Sequence, residues 1–364
     1  MKKKLIIFMP SIEGGGVEKN LFLVSNFLIK KINNISVITI SKKYKKKFDN
    51  NIEFITLSSN IWDKLSRRFK YFLSIFLLIK EILKSRNIIV FAFQANIYCI
   101  IICKLFSIKV IVRSNSAPAG WSKNILKRLV FKFFLNLADK VMVNSIQFKG
   151  DLKKEFNVNA ICIYNPLNHD EIMKRTKKKS KKIFTNKKQL KILNIGRFTE
   201  QKDQMTLLKS LNQIKETIKF EAVIIGRGKL HKELLRYILN NNLSRFVKII
   251  NFVENPFPLL KQAELFILSS KYEGLPNVLL EALTLKKFII SSKCPTGPQE
   301  ILLNGKGGLL FNVGNHNQLA NKIIYYEKNK KKCLNMLKHA IKKLNRFDYQ
   351  INLKKYQNLV NSLI

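Results

Sequence analysis

The chain has 364 residues, of which 46% are apolar, and its 67 Lys and Arg against 23 Asp and Glu give a formal net charge of +44. This length and composition exclude a disordered chain and can fill two cores, so we expect two domains. The charge indicates either a solvated basic surface or an anionic partner, such as nucleic acid, anionic lipid or a phosphorylated substrate.

The cysteines and the apolar runs indicate the cellular compartment. Five cysteines form neither a Cys-x-x-Cys motif nor a Cys/His cluster, which predicts a reducing compartment and no zinc. Pro10 and Glu13 interrupt the apolar start too early for a signal peptide. The longest apolar region, residues 88–103, is broken by Gln94 and Asn96 and falls short of a membrane span. We expect a cytoplasmic protein, soluble or peripheral.

The first half alternates predicted strands with predicted helices, as α/β domains do. The strands are expected at residues 4–9, 35–40, 52–57, 88–93, 110–113, 140–143 and 160–163. Gly14, Gly15 and Gly16 form a turn between the first strand and a helix over 17–29. Such a turn can cradle phosphate, but it lacks Gly-x-Gly-x-x-Gly spacing and Glu13 would repel phosphate, so a tight structural turn stays an equal alternative.

Two other features of the first half could contact ligands. Arg113, Asn115 and Ser116 follow a strand, where doubly wound sheets bind ligands, although Ser116 could equally be a helix cap. Residues 62–84 and 121–140 mix aromatic and aliphatic side chains with lysine and arginine. Basic amphipathic helices of this kind bind anionic membranes, or else pack their apolar faces into the core.

A lysine-rich run follows Tyr164-Asn165-Pro166 and extends to Lys182, with Lys187 and Lys188 beyond it. Like charges repel and bury nothing, so we expect an exposed linker there and the domain boundary with it.

The second half starts a new α/β unit with a strand from residue 190 that ends at Gly196 and Arg197. Lys202 and Asp203 come next, at a helix start. Two cations at the carboxyl end of a strand suit a diphosphate, although exposed surface cations are the alternative in so basic a chain. Further strands are expected up to Gly226 and at residues 247–252, 265–268 and 288–291, and the chain beyond residue 315 is expected to be helical.

The most informative stretch is 269–281, S-S-K-Y-E-G-L-P-N-V-L-L-E, directly after the apolar run 265–268. A buried strand, a loop and a helix are expected in that order, with Pro276 in the first helical turn. Gly274 can take unusual backbone angles, and the amides of that turn attract anions. Glu273 and Glu281 are eight residues apart on nearly the same face, so one carboxylate could lie on each side of a bound diphosphate.

Together these motifs resemble the retaining GT-B glycosyltransferases of glycosyltransferase family 4, most strongly over residues 190–310. The most specific likeness is Glu-x7-Glu, Glu273 to Glu281, with Gly-Leu-Pro-Asn after the first Glu. Gly196-Arg197-Phe-x-x-Gln-Lys202-Asp is similar to the family's diphosphate clamp, and Gly14 to Gly16 to its N-terminal glycine loop. Pro-Thr-Gly-Pro-Gln-Glu-Ile-Leu from Pro295 resembles bacterial hexosaminyl and galactosyl transferases that build polysaccharide or lipid-linked glycans.

The resemblance implies an α/β GT-B fold, with two Rossmann-like domains of parallel sheets facing a cleft. The implied limits are an acceptor-side domain at 1–168, a basic linker at 169–189, a donor domain at 190–345 and a C-terminal helix, 346–364, packing back on the first domain. Arg197 and Lys202 would neutralise the leaving diphosphate, Glu281 would bind the ribose, and Glu273 with the Gly274 and Leu275 amides would hold the donor sugar. The remaining expected donor contacts are Gly196, Gly226, Pro276 and Asn277.

By the same resemblance, the enzyme would transfer a hexose or N-acetylhexosamine from a UDP-sugar to a lipid-linked saccharide at the inner membrane face, with retention. No Asp-x-Asp motif occurs, so we expect no metal and no cofactor. Many family members carry a first-domain histidine near the sugar, whereas the histidines here are His169, His231, His316 and His339. Either Asn115 or Ser116 substitutes for that histidine, or the subfamily does not need the imidazole. The alternatives are a nucleic-acid-binding protein, predicted from charge alone, and a nucleotide-sugar epimerase of the same fold.

Overall fold

The computed structural model describes residues 3–57, 59–115, 124–186 and 188–364, without the side chains of Asn60 and Lys64. The chain divides into two compact units. The first comprises Met1–Pro166 together with Tyr349–Ile364, and the second comprises Leu167–Asp348.

The first unit is built on a seven-stranded parallel sheet with the order β3-β2-β1-β4-β5-β6-β7. Its strands lie where the sequence predicts them, because short β-branched and aromatic runs suit a sheet that is buried on both faces. They are β1 (Lys4–Phe8), β2 (Ile35–Ile38), β3 (Glu53–Ile55), β4 (Ile88–Ala92), β5 (Lys109–Arg113), β6 (Lys140–Val143) and β7 (Ala160–Cys162).

Helices cover both faces of this sheet and form a separate core on each. On one face the sheet packs against α2 (Arg67–Lys84), α3 (Asn96–Leu105), α4 (Ile125–Leu137) and α5 (Ile146–Phe156). On the other face it packs against α1 (Gly16–Leu28) and the last helix of the chain, α14 (Tyr349–Asn361). The C-terminal helix therefore completes the core of the first unit.

The second unit has a six-stranded parallel sheet with the order β10-β9-β8-β11-β12-β13. Its strands are β8 (Leu190–Ile195), β9 (Phe220–Gly226), β10 (Val247–Asn251), β11 (Leu265–Leu268), β12 (Phe288–Ser292) and β13 (Leu309–Phe311). Its helices are α6 (His169–Thr176), α7 (Gln204–Ile214), α8 (His231–Asn240), α9 (Phe257–Gln262), α10 (Asn277–Thr284), α11 (Gly297–Ile301), α12 (His316–Lys328) and α13 (Lys330–Lys342). Two doubly wound parallel sheets confirm the predicted α/β class.

Two elements differ from the expectation. The expected linker at 169–189 begins with α6, whose Asn168 cap accepts a hydrogen bond from the Glu171 amide and whose Ile172 is buried in the second unit. Ile183 and Phe184 are buried as well, and the lysine-rich part between α6 and Ile183 is exposed. Strand β13 has three residues, too few for a periodic signal, and the sequence analysis missed it.

Helix length and polarity also bear on membrane insertion. Over the described residues, no helix has the length and apolarity needed to cross a bilayer.

Candidate functional site

The second sheet changes winding direction between two adjacent strands. From β8 the chain continues outward to β9 and β10, whereas from β11 it continues the other way to β12 and β13. Strands β8 and β11 are paired and parallel, so their carboxyl ends lie side by side. The loops leaving them diverge, and such a switch point is where doubly wound sheets bind ligands.

Two predicted site residues meet at this switch point. Lys202 follows β8 and Glu273 follows β11, and the Lys202 Nζ lies 2.5 Å from the Glu273 Oε1. The Ser270 hydroxyl donates a hydrogen bond of 2.6 Å to the same oxygen. The sequence analysis assigned Lys202 to the diphosphate and Glu273 to the donor sugar, and in the structure the two side chains are in direct contact. The pairing offsets the charge of Glu273, which reduces the repulsion that this carboxylate would exert on an anionic ligand.

Further hydrogen bonds join the two loops. The Lys271 amide donates to the Gln201 carbonyl at 2.7 Å, and the Gln201 side-chain amide donates to the Tyr272 carbonyl at 3.0 Å. The Ser269 hydroxyl donates to the Lys202 carbonyl at 3.0 Å. Motifs that lie 71 residues apart in sequence are therefore held together before any ligand binds.

The segment after β12 supports the loop of Glu273 from its other side. The Glu273 amide donates to the Pro295 carbonyl and the Gly297 amide to the Gly274 carbonyl, each at 2.8 Å. The Thr296 hydroxyl donates to the Gly274 carbonyl at 3.1 Å. A Cβ on Gly297 would lie 2.1 Å from the Gly274 carbonyl oxygen, so only glycine permits this approach.

These contacts identify residues that the sequence analysis did not single out. Ser270, Gln201 and Thr296 each make a hydrogen bond that fixes the loop of Glu273. All three lie inside the motifs quoted above, next to the residues that were selected. Their chemistry was visible in the sequence, but their partners were not.

Helix α10 begins directly after this loop. Leu275 and Pro276 are buried, Asn277 is half-buried as the first helical residue, and Glu281 is buried within the helix at 6% exposure, like Glu273. The predicted order of strand, loop and helix is present, and the two carboxylates lie on the loop and on the helix that follows it.

The predicted glycines of this site make close backbone packing possible. A Cβ on Gly226 would lie 1.9 Å from the Gly196 carbonyl oxygen, so the ends of β9 and β8 could not approach with any other residue there. Gly196 is half-buried, and the Arg197 side chain that follows is exposed. The Arg197 carbonyl accepts a hydrogen bond from the Gln204 side chain at 3.1 Å, which fixes the backbone that carries the guanidinium.

In the first unit, the switch point lies between β1 and β4, next to the glycine turn. The turn's amides bind the protein's own carboxylate: Glu18 accepts hydrogen bonds from the Glu13 amide at 3.2 Å and from the Gly15 amide at 2.9 Å. Gly14 has φ +86, which favours glycine, and Gly16 begins α1. This capping arrangement corresponds to the structural-turn alternative, and a phosphate would have to displace Glu18 from these two amides.

Arg113 differs from its expected role as an acceptor contact. It is fully buried in the first unit, where its Nη2 donates to the Asn165 Oδ1 at 2.8 Å and its guanidinium lies 5.2 Å from the Phe93 ring centroid. Burial lowers the pKa of Arg113, and the neighbouring Tyr356 of α14 opposes this effect. Burial likewise raises the pKa of Tyr356. Arg113 therefore links the sheet to α14 and has no surface to offer a ligand.

Of the other two expected acceptor residues, Asn115 lies within the described part of the chain. Asn115 is half-buried, and its side-chain amide donates to the Phe93 carbonyl at 2.8 Å, beside the carboxyl end of β4. Ser116 lies outside the described residues. All four histidines belong to the second unit, so the sequence of the first unit offers no imidazole.

Within the described ranges, no three His, Cys, Asp or Glu side chains form a group that could hold a metal ion.

Known proteins are similar to this chain in sequence and in fold. Residues 175–343 match the family model described as glycosyl transferases group 1. An uncharacterised glycosyltransferase of Methanocaldococcus jannaschii is 34% identical over 188 residues, which is 50% of this chain and 46% of that protein. The chain thus matches less than half the length of this relative.

Two further proteins match over most of the chain. The N-acetylgalactosamine-N,N'-diacetylbacillosaminyl-diphospho-undecaprenol 4-alpha-N-acetylgalactosaminyltransferase of Campylobacter jejuni is 27% identical over 333 residues, 87% of this chain and 88% of that protein. The crystal structure of Anabaena HepE in complex with UDP covers 99% of this chain and 100% of its own, with a TM-score of 0.77 and 18% identity. The matched relatives are named as glycosyltransferases, and the structural match confirms the GT-B fold.

Proposed function

We propose that this protein is a group 1 glycosyltransferase that transfers a hexose or N-acetylhexosamine from a UDP-sugar to a lipid-linked saccharide, with retention of anomeric configuration. We place the reaction at the inner face of the cytoplasmic membrane, where such an acceptor would be anchored. No metal or other cofactor is part of the proposal.

The observation that carries the proposal is the contact of Glu273 with Lys202 and Ser270 at the switch point of β8 and β11. Glycosyl transfer develops positive charge at the anomeric carbon and negative charge on the departing diphosphate. Lys202 and the exposed Arg197 supply two cations after β8, and the first turn of α10 adds its amides after β11.

The proposed roles follow this placement. Arg197 and Lys202 neutralise the diphosphate as it leaves, and Glu281 accepts hydrogen bonds from the ribose. Glu273 binds the hydroxyls of the donor sugar, with its carboxylate oriented by Ser270 and its backbone amide by Pro295. The amides of Gly274 and Leu275 face the phosphate. In this arrangement the cations contact the anionic leaving group and the carboxylates contact neutral hydroxyl groups, so no carboxylate has to bind the diphosphate.

Retention is proposed through attack on the face from which the diphosphate departs. The bond from the anomeric carbon to the phosphate oxygen breaks, and the bond to the acceptor oxygen forms on the same side. The acceptor hydroxyl gives its proton to the departing phosphate oxygen. No side chain is then needed as a base, which is consistent with the lack of histidine in the first unit.

The acceptor class is supported by the relatives. The Campylobacter jejuni protein is named for transfer of N-acetylgalactosamine to a saccharide on diphospho-undecaprenol, and this chain aligns with 88% of it. We propose an acceptor of the same chemical class, an oligosaccharide on an isoprenoid diphosphate. Asn115 and the loops after β1 and β4 in the first unit are its proposed contacts.

The test is a panel of UDP- and GDP-sugars, each incubated with lipid-linked acceptors and scored by release of the nucleotide diphosphate. We expect UDP release with one hexose or N-acetylhexosamine donor, and a product whose new linkage has the anomeric configuration of the donor. Inverted configuration would contradict the mechanism. Conversion of a UDP-sugar without any acceptor would instead support the epimerase alternative.

A further inference from the structure

The outer side of α2, α3 and α4 in the first unit carries large apolar side chains that face solvent. On α4, six of them are 40–75% exposed, and Leu135 is its one fully buried residue among those described. On α2 four more are 62–71% exposed, and α3 adds two. They are Ile125, Leu126, Leu129, Val130, Phe133 and Leu137; Phe69, Phe72, Phe76 and Leu83; and Tyr98 and Leu105. We call these twelve residues the outer apolar face.

The three helices make this a continuous surface. Their buried residues belong to one core on one side of the sheet, α3 contacts both α2 and α4, and the Tyr71 and Tyr98 rings of α2 and α3 are 6.5 Å apart. On α4 the exposed residues recur at helical spacing, as in Ile125, Leu129 and Phe133, so they form one stripe directed away from the core. Soluble monomers seldom expose an apolar patch this extensive without a partner.

The exposed charges that α2, α3 and α4 themselves carry are of one sign. Arg67, Arg68, Lys80, Lys84, Lys127 and Lys132 are exposed on α2 and α4. The sequences of α3 and α4 contain no Asp or Glu, and Glu81, the single acidic residue of α2, is 8% exposed and paired with Lys4 and Lys84. These helices therefore present hydrocarbon and cations without an exposed carboxylate.

We propose that the outer apolar face docks the protein on an anionic lipid bilayer. A bilayer surface offers both parts that this face would bind: phosphate headgroups for the lysines and arginines, and acyl chains for the phenylalanine and leucine side chains. A second copy of the chain would bring two cationic faces together, and nucleic acid would leave the aliphatic side chains in water. The sequence left open whether the apolar residues of these helices were core or membrane-binding, and the exposure of these twelve favours membrane binding for them.

This inference rests on the proposed function only in placing the acceptor in a membrane. It gives the docked orientation: α2, α3 and α4 face the lipid, while α1 and α14, on the opposite side of the same sheet, face away. Vesicle binding is measured without donor or acceptor, so its failure is distinguishable from a failure of glycosyl transfer.

The experiment is co-sedimentation of the full chain with phosphatidylcholine vesicles, with and without phosphatidylglycerol, at physiological salt. The apolar test variant is Phe72→Ser with Phe133→Ser, which changes exposed side chains and should leave the fold intact. Its matched control is Leu239→Ser on α8 of the second unit, where the leucine is 64% exposed. The charge test variant is Lys127→Gln with Lys132→Gln, and its control is Lys232→Gln, also exposed on α8.

We expect the wild type and both controls to bind vesicles that contain phosphatidylglycerol. The partition coefficient should fall about tenfold for each phenylalanine replaced and about fivefold for each lysine replaced. Wild-type binding that is equal with and without phosphatidylglycerol would overturn the proposal, as would test variants that bind like the controls. A wild-type dimer that becomes monomeric in the phenylalanine variant would overturn it in favour of self-association.

Discussion

Replacing Lys202 with methionine, Glu273 with glutamine, or both, tests whether these residues act as one unit. Their charged atoms are 2.5 Å apart, and the side chains are only 17% and 8% exposed. At an effective dielectric constant of about 20, unit charges at this distance attract by about 7 kcal/mol. Lost hydration of both ions offsets most of that attraction, so we expect a net coupling of about 2 kcal/mol.

Either single replacement leaves one nearly buried charge without its partner. We expect each to lower the free energy of unfolding by about 3 kcal/mol, whereas the double replacement should cost less than the two together. In the UDP-release assay each single variant should lose about 10²–10³-fold in kcat, because a preorganised charge at the leaving group is removed or misplaced. The double variant should be no more than about tenfold slower than the slower single variant.

The measurement is a double-mutant cycle by urea unfolding, alongside the same cycle in kcat. The matched control is Lys191 with Glu264, a pair in the same unit separated by 3.6 Å with side chains 23% and 37% exposed, where coupling should stay below about 1 kcal/mol. Additive effects at Lys202 and Glu273, within about 0.5 kcal/mol, would refute the reasoning.

Three further predictions concern packing, pH and thiol reactivity. Gly226→Ala should destabilise the protein by about 2–3 kcal/mol in thermal unfolding, because the new Cβ would lie 1.9 Å from the Gly196 carbonyl oxygen. The control is Gly150→Ala in α5, where a Cβ would meet open space, and this substitution should be neutral or stabilising. Burial lowers the pKa of Lys287 from 10.5 to about 8, so on raising the pH the folded state loses this proton before the unfolded state does. The free energy of unfolding should therefore rise by about 1–2 kcal/mol between pH 8 and 10.5. Lys287→Met should lack that rise, and a variant whose stability changes with pH as the wild type's does would contradict the assignment. Burial raises the pKa of the Cys294 thiol to about 12, so a thiol reagent at pH 8 should modify this residue only after denaturation, and rapid labelling of the native protein would be inconsistent with the structure.

The sequence was informative about the fold because its strands are short apolar runs separated by helices of regular period. All seven strands of the first sheet were predicted, and in the second sheet only β13 was missed. The order of the strands follows from doubly wound topology, which also makes the β8–β11 switch point a consequence of the alternating pattern.

Individual side-chain environments were harder to predict. The sequence places Arg113 at a strand end, but burial against Phe93 and Tyr356 depends on a helix some 240 residues later, which no local pattern encodes. The Lys202–Glu273 contact could not be predicted for the same reason. Each motif suggested an anion site, and only the pairing of β8 with β11 brings the two charges together. The hydrogen bonds of Glu18 could have been predicted from the sequence, because a Glu at the third position of a helix after a glycine turn is itself a capping signal.

Acceptor-dependent release of UDP, compared between the wild type and two arginine variants, tests the central claim most directly. Arg197→Ala removes an exposed cation after β8, and Arg236→Ala removes another exposed cation, on α8, as the control. The account predicts that the wild type and Arg236→Ala release UDP at the same rate only when lipid-linked acceptor is present, and that Arg197→Ala is about 100-fold slower. Release that needs no acceptor, or an Arg197→Ala rate equal to that of the wild type, would contradict it.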